Sequence, residues 1–333
     1  MELSLVAPEL REPLRRVERI PLPFDRVWGL RVVRTLQAVM PARKLEGVTI
    51  TQVRTADGAV RLYHPATRRS SAALFWIHGG GLLAGRPVQN DYLCALTARE
   101  VGILVVAGEY RKAPEHPFPA ALNDCFAGWR WLQREASPLD VDRKRIALGG
   151  ESAGGGLAAS LAQRLLDLDR NRGTAGGETL PVAQWLFCPM LDDRTAARHE
   201  LDGENHFVWN NRVNRFGWRS YLAMEPGAES VPSYAVPARR EDLRGLPPSW
   251  IGVGDIDLFY EEDRFYAERL RDAGVPVTFE VVPGAPHGFV AWAPNTALAQ
   301  NHVTHAQTWL RHALTMTDGE EAKSEEDQRK GHT

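Results

Sequence analysis

Cysteine is scarce in this 333-residue chain. Its three copies, Cys94, Cys125 and Cys188, stand far apart with no C-x-x-C pair. That argues against a disulfide framework and predicts a reducing, cytoplasmic setting. Each reads as a small buried hydrophobe rather than a nucleophile. A charge excess is missing too: 40 basic residues face 42 acidic ones, a net charge of −2. No general field therefore draws nucleic acid or an anionic membrane. No uninterrupted apolar run approaches the ~20 residues that span a bilayer. The start, Met1-Glu2-Leu3-Ser4 with Glu9, Arg11 and Glu12 close behind, lacks the basic and apolar blocks of a signal peptide. Neither an H-E-x-x-H nor a P-loop pattern occurs. His302 and His305 share a helical spacing, but without a third ligand they read as a solvated helix face, and no metal or other cofactor is expected.

What remains is an ordinary globular composition, 44% hydrophobic and 25% charged, ample for a large core. Residues 1–45 mix apolar and charged positions in a helical rhythm (Val27, Leu30, Val33, Leu36, Met40) and read as helices packed on the main body. From Val48 to Pro65, two β-branched stretches flank Ala56-Asp57-Gly58, a hairpin signal. Strand and helix then alternate. Apolar strands are predicted at Ala73–Ile77, Gly102–Val106, Arg145–Leu148, Val182–Phe187, Trp250–Val253 and Val277–Val282. Helices are predicted through Leu122, Cys125, Phe126, Trp129 and Leu132, over Leu157–Leu168, over Phe259–Ala273 and over Ala297–Leu314. This alternation predicts a mostly parallel sheet with helices on both faces. Residues 191–245 interrupt it with polar turns and aromatics and read as a lid insertion. Core segments are thus 46–190 and 246–316. The charged stretch 317–333 is expected to be disordered.

Gly150-Glu151-Ser152-Ala153-Gly154 falls between a strand and a helix. Glycine two residues either side lets strand and helix approach closely enough for a serine to sit on a strained turn with its hydroxyl projecting. The helix N-terminus also directs amides at the site. Upstream, His78-Gly79-Gly80-Gly81 follows a strand, and its consecutive glycines suit an oxyanion hole. The same stretch fits a dinucleotide fingerprint, Gly79-x-Gly81-x-x-Ala84, but Gly85-Arg86-Pro87 opposes the helix that fingerprint needs. A serine hydroxyl needs a base, and the base an orienting acid. His287 follows a strand end, and Asp257 follows another; Asp255, Glu261 and Glu262 compete for the acid.

Taken together these motifs resemble the hormone-sensitive-lipase-like (type IV) microbial carboxylesterases of the α/β-hydrolase superfamily over roughly residues 60–315. The resemblance rests on His78–Gly81, on Tyr110-Arg111-Lys112-Ala113-Pro114-Glu115-His116-Pro117, on Gly149–Gly155, on Asp257-Leu258-Phe259 and on His287-Gly288-Phe289. It implies an α/β-hydrolase fold with an eight-stranded sheet and a helical cap built from 1–45 and 191–245. It implies Ser152 as nucleophile, Asp257 as acid and His287 as base. Gly80, Gly81 and Ala153 would supply the oxyanion amides, with His78, Gly79 and Glu151 in support. The implied substrate is a small-molecule ester with a short to medium acyl chain, no cofactor is required, and a homodimer is a family habit. Departures are Leu82 for an aromatic, Glu109 and Glu151 for Asp, Lys112 for an apolar residue and Gly156 for Asn; none removes a reacting group. An amidase using the same groups is the nearest rival, and a ligand receptor on this fold the more distant one.

Overall fold

A computed structural model describes residues 1–18, 25–55, 58–172 and 179–330, without the side chains at 172 and from 316 onward. Among these residues eight strands form one sheet: β1 (Val48–Thr55), β2 (Gly58–Pro65), β3 (Ala73–Ile77), β4 (Leu104–Gly108), β5 (Ile146–Glu151), β6 (Gln184–Phe187), β7 (Ser249–Gly254) and β8 (Val277–Val282). Their spatial order is β1-β2-β4-β3-β5-β6-β7-β8. Only the β1–β2 and β2–β4 pairs are antiparallel; β4 to β8 run parallel. The hairpin pairs Thr55 with Gly58, and its turn residues Ala56 and Asp57 lie outside the described residues.

The burial pattern follows from this order. Strands β3, β4, β5, β6 and β7 are buried at every position, as expected of parallel strands covered on both faces. The edge strand β1 is exposed or half-buried throughout.

Among the described residues ten α-helices connect or flank the strands: α1 (Pro8–Glu18), α2 (Val27–Ala38), α3 (Asp91–Thr97), α4 (Ala120–Arg134), α5 (Ala153–Arg172), α6 (Asp193–Ala197), α7 (Asn211–Leu222), α8 (Tyr260–Asp272), α9 (Phe289–Trp292) and α10 (Ala297–Lys330). Side chains alternate across each strand. Phe75 therefore points to a core shared with α4, α5 and α8, while Leu74 and Trp76 point to another shared with α1, α3 and α10. Helix α4 shows how pattern becomes packing: Leu122, Cys125, Trp129 and Leu132 are buried along one stripe, and Trp129 meets Phe75 edge-on at 6.2 Å.

Four details depart from the sequence reading. Strand β4 begins two residues late because Gly102, at φ +77°, closes the helical turn Ala98–Gly102 before it. Helix α10 continues to Lys330 across the stretch expected to be disordered; Glu, Ala, Lys, Gln and Arg dominate its end, and all favour helix. Residues 331–333 lie outside the described residues. On α10, His302 is buried instead of solvated and its Nδ1 lies 2.9 Å from Glu280 Oε1, while His305 is exposed. On α2, Leu30 and Val33 are buried but Val27 and Leu36 are exposed, as is Met40 just beyond its end. A stride of three residues turns about 60° short of a full circle each time, so that rhythm winds round the helix rather than marking one face.

Candidate active site

Parallel strands end at the same edge of the sheet, and three of those ends build the site. Strand β5 leads through Ser152 directly into α5, and Ser152 sits at φ +55°, a region costly for a side chain-bearing residue. Both flanking glycines are imposed by backbone proximity. A Cβ at Gly150 would stand 2.3 Å from the Gly154 carbonyl oxygen, and one at Gly154 only 2.1 Å from that of Ile77 at the end of β3. The Ser152 amide donates to Phe187 O at 2.9 Å, and the Ser152 carbonyl accepts from Met190 N at 2.9 Å. The serine is thus clamped to the end of β6.

His287 lies in the turn after β8. Its Nε2 is 2.9 Å from Ser152 Oγ, and its Nδ1 is 2.8 Å from Asp257 Oδ2. A carboxylate only accepts, so Nδ1 carries the proton and Nε2 is left as acceptor for the serine hydroxyl. The other oxygen of Asp257 accepts from Phe259 N at 2.9 Å, the His287 carbonyl accepts from Trp292 Nε1 at 2.9 Å, and Phe259 meets the imidazole edge-on at 5.1 Å. All three side chains are buried. The competing acids are engaged elsewhere. Asp255 is exposed and accepts from Gly284 N; Glu261 is exposed and pairs with Arg264. Glu262 accepts from Leu191 N and Asp192 N at the root of the insertion.

Residues 74–291 match the α/β-hydrolase fold family. The carboxylic ester hydrolase LipN of Mycobacterium tuberculosis is 35% identical over 82% of this chain and 73% of its own length. The carboxylesterase NlhH of the same organism is 32% identical over 94% of this chain and 99% of its own. Among solved structures, a bacterial heroin esterase superposes with a TM-score of 0.79 at 31% identity, covering 94% of this chain and 99% of that one. This chain is an α/β hydrolase. It falls in the hormone-sensitive-lipase-like, carboxylesterase branch of that family.

In this hydrolase the glycine loop lies against the serine: a Cβ at Gly79 would sit 3.3 Å from Ser152 Cβ. Gly80 and Gly81 hold φ of +124° and +61°. Among the described residues, the N–H groups of Gly80, Gly81 and Ala153 donate to no protein acceptor. Ala153 is the first residue of α5, where helix amides have no internal partner. His78 braces this loop. Its Nδ1 is 2.8 Å from Gly79 O, and its ring stacks on Tyr110 at 4.3 Å. Burial holds its pKa well below the ordinary imidazole value, reinforced by Lys112. A neutral ring of this kind shapes the loop and transfers no proton at neutral pH.

Charge around His287 is set by opposing effects. Burial pulls its pKa down, but the charge and hydrogen bond of Asp257, together with the charge of Glu151, raise it overall above 6.5. Burial raises the pKa of Glu151, while Asn90, donating to its Oε2 at 2.8 Å, and His287 oppose that. Beneath the site, burial pushes Asp263 and Glu262 well up, and each also raises or is raised by a neighbouring carboxyl.

Several of these residues carry no motif signal. Asn90 is sequence-distant from Glu151, and Trp209 lies within the insertion. Trp209 roofs the site, with its ring 6.3 Å from that of His287 and so close to Gly81 that a Cβ there would be 2.0 Å from the indole. Cys188, at the end of β6, converges with Asp257 and His287 within 4.8 Å, the spacing of a metal-ligand group. Asp257 and His287 already bond each other. Burial and the neighbouring Asp257 and Glu151 push the Cys188 thiol well up, and a metal needs the thiolate.

Proposed function

We propose that this hydrolase is a serine carboxylesterase that cleaves short- to medium-chain esters through an acyl-enzyme on Ser152. The observation that carries the reading is the buried relay Asp257–His287–Ser152, with bonds of 2.8 and 2.9 Å. Ser152 Oγ attacks the ester carbonyl as its proton passes to His287 Nε2. Asp257 holds the tautomer and stabilises the imidazolium. The negative oxygen of the tetrahedral intermediate accepts from Gly80, Gly81 and Ala153 N–H. His287 then returns its proton to the departing alcohol, and water deacylates the serine by the same route. No step calls on a cofactor.

Residues 1–45 and 191–245 form the cap in this reading, and Trp209 is the wall that favours short acyl chains. The three cysteines are free and buried, which supports a reducing, cytoplasmic location. The test is a panel of p-nitrophenyl esters from acetyl to palmitoyl, run with the native chain and with Ser152→Ala. The native chain should work best at the short end, and the variant should lose roughly 10³-fold or more in kcat. Near-normal turnover by Ser152→Ala would sink the reading.

A further inference from the structure

The structure assigns α2 a second role: we propose that its outer face docks the protein on an anionic phospholipid surface. Of the eleven large hydrophobic side chains exposed among the described residues, six lie between Val27 and Met40. Trp28, Val32 and Leu36 recur every four residues with Val39 beside them, exposed by 59%, 46%, 54% and 75%. Four-residue spacing keeps neighbours on one side of a helix. They therefore make a continuous apolar stripe instead of the scattered hydrophobes of an ordinary surface.

The opposite side of α2 is held firmly. Leu30 and Val33 are buried, Arg34 donates to Leu83 O at 2.8 Å and to Ala113 O at 2.7 Å, and Gln37 Oε1 accepts from Gly85 N at 2.8 Å. The helix cannot roll to hide its stripe without breaking these bonds. They also place it beside the loop that continues from Gly79–Gly81.

Charge selects the occupant. Between Arg26 and Lys44 stand five basic residues and no acidic one, in a chain whose net charge is −2. Arg34 is engaged by Glu115, and Arg26, Arg31, Arg43 and Lys44 are exposed. The near-neutral total conceals this local excess. Tryptophan and leucine on one face with arginines at its margins is the arrangement that settles at a headgroup boundary, and each basic residue there adds attraction to an anionic surface. A second copy of the chain would fit less well, because a two-fold contact through this patch sets arginine against arginine.

The test needs no turnover, so its failure leaves the esterase reading intact. The full chain is sedimented with vesicles of phosphatidylcholine and with vesicles of equal parts phosphatidylcholine and phosphatidylglycerol, at low and high salt. Binding to the mixed vesicles should be at least about tenfold stronger and should weaken with salt. A Trp28→Ser/Leu36→Ser variant should lose it at an unchanged Tm, since both side chains are exposed. Equal binding to both vesicles, or full binding by the variant, would overturn the proposal. A dimer in sedimentation equilibrium that the same variant dissociates would also overturn it, and would mark the patch as an interface between copies.

Discussion

The parallel strands and the N-terminal helices of this hydrolase treat apolar side chains in opposite ways. Strands β3, β4, β5, β6 and β7 are buried at every position, and Ser152 and Asp257 stand where β5 and β7 end, with His287 after β8. Helix α2 buries only one narrow side and presents Trp28, Val32 and Leu36 outward. Backbone bonds fix Ser152 to the end of β6 and Asp257 within the turn after β7, which suits chemistry that tolerates little displacement. Helix α2 is anchored to the body through Arg34 and Gln37, and the insertion through Arg239–Asp193 and Glu262. In the proposed mechanism the chemistry belongs to the sheet edge and substrate choice to the cap.

Three substitutions sharpen that contrast. The largest effect is expected from Asp257→Asn at the sheet edge. It leaves the hydrogen bond geometry in place but favours the wrong imidazole tautomer, so kcat should fall about 10³- to 10⁴-fold. The loss should be equal across acyl chain lengths; a loss confined to long chains would contradict the division between sheet and cap.

Trp209→Ala in the insertion should act differently. Removing the indole from above Gly81 opens the pocket, so the ratio of octanoate to acetate hydrolysis should rise by about tenfold or less, a pocket effect of ~1 kcal/mol. An unchanged ratio would free Trp209 from any part in selection.

The smallest effect concerns pH. In the proposed mechanism His287 acts as base only when neutral, so kcat/KM should rise as pH increases through a midpoint above 6.5. Glu151 favours the imidazolium, and Glu151→Gln should move that limb toward lower pH. A limb that stays in place would remove Glu151 from the charge balance.

Legibility divided along the same line. The core strands announced themselves as short apolar runs, and β8 falls on the predicted Val277–Val282 because it is bounded by Pro276 and by Pro283-Gly284. The serine turn was readable because backbone proximity dictates its glycines. Which carboxylate faces His287 was not fixed by the residues alone: Asp255 and Asp257 are two apart at one strand end, and only the turn geometry aims one at the imidazole and the other at Gly284. Asn90 was invisible, and Trp209 was readable only as one of the insertion's aromatics, because their partners, Glu151 and Gly81, are brought close by the fold rather than by spacing. On α2 the apolar rhythm revealed a helix, but a stride of three could not say which side would be covered.

The hydrogen bond between Ser152 and His287 joins residues 135 positions apart, and this has a consequence for synthesis. Ser152 leaves the ribosome 135 residues before His287, which emerges only with the turn after β8. Throughout that interval the nascent chain holds Ser152 without the imidazole that bonds it. Closing a contact of such span is also the slow part of folding. In the proposed mechanism a fragment that stops before residue 287 lacks the base and should not turn over an ester.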